Sequence, residues 1–314
     1  MLNKIKAVMF GHAVGDALGV PVEFCNRDVL DRNPVTGMRG FGTYGVAAGC
    51  WSDDTSMSLC ALESLSKGVL DYNDIMWNFG KWYYDEEFTA DGEVFDVGGT
   101  CLAAIHNYID LGMSVNKCGI VNERSNGNGS LMRIHPFVLY AFYNGINNSD
   151  FTRMIVKASS LTHAHFISTD GCVIYAFVLR ALLKNPSKES IYRGLNAVAY
   201  DDVFYPSNAH YNRLLESNIA DVDRVDIKST GYVVDSLEAA LWCVLTTDSY
   251  KECVLKAVNL GGDTDTIAAI AGGLAGALYG FNSIPENWLN TLKKKDYIDE
   301  MCQKAYNKWR LNEV

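Results

Sequence analysis

Two short segments, far apart in the chain, carry more oxygen donors than a helix start requires. They are Trp51-Ser52-Asp53-Asp54-Thr55-Ser56-Met57 and Leu260-Gly261-Gly262-Asp263-Thr264-Asp265-Thr266, and each stands just ahead of an apolar helical run. A helix N-terminus favours a small oxygen-bearing cap and carboxylates in its first turn. Taken alone, capping is the leading reading of the first segment. Its redundancy argues against capping as the whole account, because adjacent Asp53 and Asp54 are like charges that each raise the cost of the other. In the second segment a diglycine turn precedes carboxylates spaced i, i+2, and Gly-Gly permits a tight turn and close approach to a ligand. Two carboxylates and a hydroxyl at one turn make a hard, all-oxygen donor set, which selects Mg²⁺, Mn²⁺ or Ca²⁺ over zinc. Capping employs one of these acids and leaves the other unexplained. Two such triads point to a shared metal centre, of one ion or two.

Other segments are less specific. Asn126-Gly127-Asn128-Gly129-Ser130-Leu131-Met132-Arg133 reads as a glycine-rich loop opening a helix. Its N–H groups suit phosphate oxygens, with Arg133 nearby, and a plain capped turn is an equal alternative. It lacks the GK[ST] ending of a Walker loop. Phe95-Asp96-Val97-Gly98-Gly99-Thr100 offers Asp96 as another helix-start acid, for which capping is the simpler role. His163 and His165 stand at i, i+2, which on a helix places them on different faces and disfavours zinc. Glu23 follows Pro21 where the first helix ends, and its plain role is a surface carboxylate. No G-x-S-x-G elbow occurs and no Cys stands beside a His partner, so the acids are the stronger catalytic groups.

The elements that position these residues read as helices. Apolar residues recur at i, i+3, i+4 and i+7 over about residues 4–20, 54–67, 73–85, 97–111, 131–143, 151–161, 169–184, 188–199, 211–218, 233–246, 249–260, 265–279 and 297–310. Gly68, Gly112 and Pro186 close the runs before them. Period-two runs are scarce, so the sequence predicts an all-α protein with no sheet of consequence. The least regular segments, 25–50 and 201–230, are short enough to be functional loops, and nothing reads as a linker or a solenoid repeat. One compact helical domain over residues 1–314 is expected.

Lysine and arginine number 27 against 37 aspartates and glutamates, a net charge of −10 that disfavours binding to nucleic-acid backbones. A small anionic ligand is still accommodated by a few N–H groups. Nine cysteines without CxxC spacing, five of them in apolar helical stretches, read as buried free thiols of a reducing compartment. His12 and Asp16 interrupt the first apolar stretch, against a signal peptide, and 267–281 is too short to span a bilayer. A cytoplasmic monomer without membrane contact is expected.

The ordered set GDALGVPVEF, WSDDTSM, FDVGGT, NGNGSLMR, LTHAH, TGYVVDSLEAALW and GGDTDTIAAIAGGLAGALYG closely resembles the ADP-ribosylglycohydrolase family, from about Gly11 to Gly280 and in the family's order. The resemblance implies an all-α, orthogonal multi-helix bundle with two divalent cations, Mg²⁺ or Mn²⁺, at the base of a cleft. It assigns Ser52, Asp53, Asp54, Asp263, Asp265 and Thr266 as metal ligands; many members carry Thr where this chain has Ser52, and both supply a hydroxyl. Glu23 and Asp96 match acids lining the cleft, with Asp96 slightly preferred as general acid or base. Gly127, Asn128, Gly129, Ser130, Met132 and Arg133 match the segment that wraps ADP-ribose, and His163 and Tyr232 match other cleft-facing positions.

The implied activity is hydrolysis of the bond between ADP-ribose and an acceptor, with protein arginine the leading acceptor. Serine-linked, nucleic-acid-linked and small-molecule conjugates are the alternatives. From other classes stand an inactive ADP-ribose-binding relative, which retention of every acid in both motifs argues against, and a partner-binding protein.

Overall fold

Alanine- and glycine-rich sequence at Leu2–Gly19 and Thr264–Tyr279 forms two helices that pack along each other through the middle of the protein. The computed structural model describes residues 1–199 and 209–309. In chain order the helices are α1 (Leu2–Gly19), α2 (Arg27–Arg32), α3 (Asp53–Leu65), α4 (Tyr72–Asp85), α5 (Gly99–Ile109), α6 (His135–Tyr143), α7 (Asn148–Ser160) and α8 (Phe166–Lys184). They continue as α9 (Lys188–Ala199), α10 (Asn212–Leu215), α11 (Val233–Leu245), α12 (Tyr250–Val258), α13 (Thr264–Tyr279), α14 (Glu286–Thr291) and α15 (Lys295–Trp309). Among the described residues there is no strand, only isolated bridges pairing Ile120 with His163 and Gly127 with Tyr232.

The expected all-α class holds, with local differences. α6 begins at His135 rather than near 131, because Pro136 favours a first helical turn while the glycine-rich segment ahead of it forms turns. The expected helix at 211–218 shrinks to the four residues of α10. α2 and α14, each of six residues, are too short to show a full apolar period. Residues 201–208 of the expected loop 201–230 lie outside the described residues. By length and composition alone, Leu2–Val22 and Phe166–Lys184 would suffice to cross a membrane, but 94% and 89% of those windows are buried inside the protein.

Close approach between α1 and α13 is a consequence of small residues at four-residue spacing, which share one helix face. A β-carbon built on Gly15 would lie 2.1 Å from the Ala268 carbonyl oxygen, and one on Gly11 2.4 Å from that of Gly272. On the other helix, a β-carbon on Gly276 would lie 1.9 Å from the Ala7 oxygen. Thr264 Oγ1 donates across the seam to Gly19 O at 2.8 Å, and Tyr250 Oη of α12 donates to Gly11 O at 2.7 Å. The seam fixes Asp16 on α1 against the start of α13.

The close approach makes a stability prediction. Gly15→Ala should cost about 1–3 kcal/mol in denaturant unfolding, the usual range for overpacking. Gly99→Ala, whose β-carbon meets nothing within 4 Å, should change stability little. Equal stabilities of the two variants would contradict the packing.

Candidate active site

The two acidic segments come together at two helix starts. Ser52 caps α3: its hydroxyl accepts from Asp54 N–H at 3.4 Å and donates to Asp54 Oδ2 at 3.0 Å. Capping is therefore met by one hydroxyl, and Asp53 and Asp54 are left over. Asp263 occupies the cap position of α13 but makes no side-chain capping bond. Gly261 and Gly262 both have φ of +73°, a left-handed conformation that glycine adopts without strain, and the turn brings Asp263 N–H to Ser229 O at 3.0 Å. Across the gap, Thr266 Oγ1 donates to Asp54 Oδ2 at 3.2 Å, so the two segments are in direct contact.

Three carboxylate oxygens in this contact, Asp54 Oδ1, Asp263 Oδ1 and Asp265 Oδ2, are buried with no hydrogen-bond partner. Carboxylate oxygens of Asp16, Asp54 and Asp265 lie within 4.8 Å of one another, and so do those of Glu23, Asp263 and Asp265. The triads share Asp265. Burial first, and the neighbouring acids second, hold Asp54 and Asp265 well above the usual carboxylate range. Orphaned, converging anionic oxygens fit a hard divalent cation, which would satisfy them and offset their repulsion. Asp53 stands outside both triads; it is buried, lines the cleft and accepts from Gly98 N–H at 3.4 Å.

Asp16 is a residue the sequence reading did not select. It is fully buried on α1, where Oδ1 accepts from Ser52 N–H at 2.9 Å and Oδ2 from Thr55 N–H at 3.1 Å and Thr55 Oγ1 at 2.6 Å. Burial raises it to about 7, while these bonds pull the other way. It clamps the start of α3 to α1. The signal was available: an acid in the middle of an apolar helix must find partners.

Glu23 is not a surface carboxylate. It is 4% exposed, lines the cleft, and accepts from Tyr44 Oη at 2.6 Å. Burial and the charge of Asp96 raise it to about 9. Asp96 is not a cap either. α5 starts at Gly99, and Asp96 lies in the loop before it with φ of +52°, half-buried on the cleft wall.

The cleft has a volume of about 240 Å³, and no lysine or arginine lines it. Gly127, Asn128, Gly129, Met132 and His163 line the cleft together with the acids. Asn128 Nδ2 donates to Asp263 Oδ2 at 2.8 Å and to Ser236 Oγ at 2.9 Å, tying the glycine-rich loop to the second acidic segment. Ser130 is buried behind the loop and accepts from Ser159 Oγ at 2.8 Å. Arg133, expected near phosphate, is fully buried instead: its guanidinium donates to Ala158 O at 3.3 Å and Thr162 Oγ1 at 2.8 Å and stacks on Phe79. The helix that would have carried it outward begins only at His135. His163 and His165 precede α8 in a loop rather than lying on a helix, and His165 Nδ1 accepts from Ile167 N–H at 3.4 Å as its cap. Tyr232 caps α11 at the edge of the cleft, half-buried, with its hydroxyl 3.3 Å from His210 Nδ1. Larger grooves beside Lys4 and Tyr279 and beside Arg224 and Lys256 gather no comparable set of acids.

Known proteins similar to this chain come from one family. The model of the ADP-ribosylglycohydrolase family matches residues 1–314. ADP-ribosylarginine hydrolase Tri1 of Serratia proteamaculans (strain 568) is 33% identical over 309 residues, covering 97% of this chain and 79% of the relative. ADP-ribosyl-[dinitrogen reductase] glycohydrolase of Rhodospirillum rubrum is 32% identical over 298 residues, covering 93% and 91%. A solved structure described as an ADP-ribosylglycohydrolase-related protein complex superposes with a TM-score of 0.81 at 30% identity, covering 98% of each chain.

The raised carboxyls set a pH dependence. With Asp16 raised to about 7 and Glu23 to about 9, the metal-free folded protein holds protons that the unfolded chain has lost above pH about 4. Its stability is therefore fullest below that value and falls as pH rises towards about 9. Chelator-treated protein should melt at a lower temperature at pH 8 than at pH 5, and Mn²⁺ should raise the melting temperature more at pH 8. A flat profile, or equal stabilisation at both pH values, would contradict the assignment.

Proposed function

The chain belongs to the ADP-ribosylglycohydrolase family, and from that premise we propose that it removes ADP-ribose from arginine side chains by hydrolysing the N-glycosidic bond. That it is an ADP-ribosyl glycohydrolase follows from the family and its named relatives. The arginine acceptor rests on the name of the Serratia relative, an ADP-ribosylarginine hydrolase. The observation that carries the chemistry is the pair of carboxylate triads sharing Asp265 at the base of the cleft. The loop positions Gly127 to Ser130, with Met132, support ADP-ribose as the bound moiety, and Tyr232 is proposed to contact the nucleotide.

Ser52, Asp53, Asp54, Asp263, Asp265 and Thr266 would hold two divalent cations, Mg²⁺ or Mn²⁺, which when bound supply Lewis-acid polarisation and a more acidic water. Asp16 and Glu23 each belong to one of the two triads, and Asp16 also positions Ser52 and Thr55. Glycoside hydrolysis passes through an oxocarbenium-like state, in which one acid protonates the leaving group and one base deprotonates water. Glu23, buried and lining the cleft beside Asp96, is assigned to give a proton to the departing guanidine nitrogen. Asp96, half-buried on the cleft wall, is assigned to take the proton from the attacking water. Tyr44 Oη fixes Glu23 Oε2, leaving Oε1 for the transfer.

The whole chain is proposed to act as one domain, on ADP-ribosylated protein, with nucleic acid entering only as a modified substrate. A cytosolic site is supported by its nine unpaired cysteines, eight of them buried.

Supplied with Mg²⁺ or Mn²⁺, the protein should release free ADP-ribose from ADP-ribosyl-arginine faster than from ADP-ribosyl-serine or ADP-ribosylated DNA. No release from any of the three, with cation binding verified, would overturn the hydrolase reading. Asp263→Ala should lose cation affinity and turnover together. Asp96→Asn should keep the cation and lose about 10²–10⁴-fold in kcat, the worth of general acid–base catalysis. Full activity in either variant would refute its assigned role.

A further inference from the structure

Arg133 and Thr162 have no place in the mechanism above, yet both are fully buried directly behind the cleft wall. Arg133 Nη2 donates to Thr162 Oγ1 at 2.8 Å, and Thr162 Oγ1 lies 2.9 Å from His163 Nδ1. The far side of the His163 ring faces the glycine-rich loop. A β-carbon built on Gly127 would lie 3.7 Å from His163 Nε2, and one on Gly129 only 2.9 Å from Cε1, so glycine at 129 is what lets the loop pass close to this edge. His163 lines the cleft.

Donor and acceptor arithmetic along this chain gives it a direction. A guanidinium only donates, so Thr162 Oγ1 is the acceptor of the Arg133 bond and keeps its own proton to give. Given to His163, that proton requires Nδ1 to be the unprotonated nitrogen and Nε2 to carry the hydrogen. In the opposite tautomer Thr162 would face two donors, Arg133 and Nδ1–H, and its proton would be left to the nearby thiol of Cys101, a weak acceptor. Electrostatics favours the same arrangement. It turns the imidazole lone pair towards the Arg133 cation and the N–H towards a cleft lined by Glu23, Asp53, Asp96 and Asp263.

We infer that Arg133 and Thr162 are positioning residues that hold His163 as its Nε2–H tautomer, a neutral donor aimed into the cleft at an acceptor oxygen of the bound ADP-ribose. This rests on the reading of the cleft as an ADP-ribose site. Burial and the Arg133 charge also hold His163 down at about 3, so the ring stays neutral at physiological pH. Ser159 Oγ ties down this backbone, lying 3.0 Å from His163 O and 2.8 Å from Ser130 Oγ. Arg133 thus serves the ligand at one remove, through a hydrogen-bond relay rather than by contact.

The test is the ring-nitrogen spectrum of His163 by ¹⁵N NMR, assigned by the signals lost in His163→Asn. The wild-type protein should show Nε2–H and unprotonated Nδ1, and the Nε2–H signal should shift when ADP-ribose is added. Thr162→Val should mix the tautomers and raise KM several-fold, up to about ten-fold, with kcat within about two-fold, as expected for one neutral hydrogen bond to ligand. Thr162→Ser should restore both. An Nδ1–H or doubly protonated ring in the wild-type protein would overturn the inference, whatever the variants do. So would an unchanged tautomer and KM in Thr162→Val, or ADP-ribose binding that leaves His163 unmoved. Failure of ADP-ribose to bind at all, with the Nε2–H tautomer present, would instead remove the ADP-ribose reading and leave the relay standing.

Discussion

Carboxylates packed out of water without a basic partner are the constraint on which this structure is built. Asp16, Asp53, Asp54 and Asp265 are buried to 5% exposure or less, and the cleft above them is lined by no lysine or arginine. Each acid desolvated among others of its sign costs stability unless it is protonated, hydrogen-bonded or cation-bound. The protein uses N–H and O–H donors for part of this. Ser52, Thr55 and Thr266 donate to Asp16 and Asp54, and Asp53, Asp54 and Asp265 sit at the starts of α3 and α13, where helix dipoles favour negative charge. The donors run out at Asp54 Oδ1, Asp263 Oδ1 and Asp265 Oδ2. That remainder is what a pair of hard cations would complete.

Holding the acids at this distance demands stiff supports, and the glycine seam between α1 and α13 provides one. It places Asp16 and Asp265 on helices whose backbones touch, so the gap between them cannot relax by side-chain motion alone. The second support is Asn128, which bonds Asp263 from within the glycine-rich loop. The glycine-rich loop and the acidic cluster are in this way one hydrogen-bonded network. A third layer lies behind the loop, where buried Arg133 acts through Thr162 on His163.

Much of the helical frame was legible in the sequence, because long amphipathic runs declare their period; α1, α8, α11 and α13 fall within a few residues of their expected spans. α2 and α14 did not, being shorter than two turns. Of the site, the two acidic segments could be read as oxygen clusters, yet periodicity could not bring them together; that came from family resemblance and is seen here in the Thr266–Asp54 bond. Glu23 looked like a surface acid because nothing local reports that Tyr44, twenty-one residues on, folds over it. Arg133 looked like a phosphate ligand because its sequence neighbours line the cleft, while its own side chain turns inward to Thr162. Asp16 was missed although an acid amid MFGHAVGDALG carried the signal of a buried polar group needing partners.

The central claim is that two distant acidic segments make one cation site with Asp265 in common. Titrating chelated protein with Mn²⁺, followed by electron paramagnetic resonance, tests it directly. The account predicts about two Mn²⁺ per chain, magnetically coupled through their proximity, and loss of both in Asp265→Asn. Binding of Mn²⁺ with unchanged stoichiometry in that variant, or no binding to the wild-type protein, would contradict it.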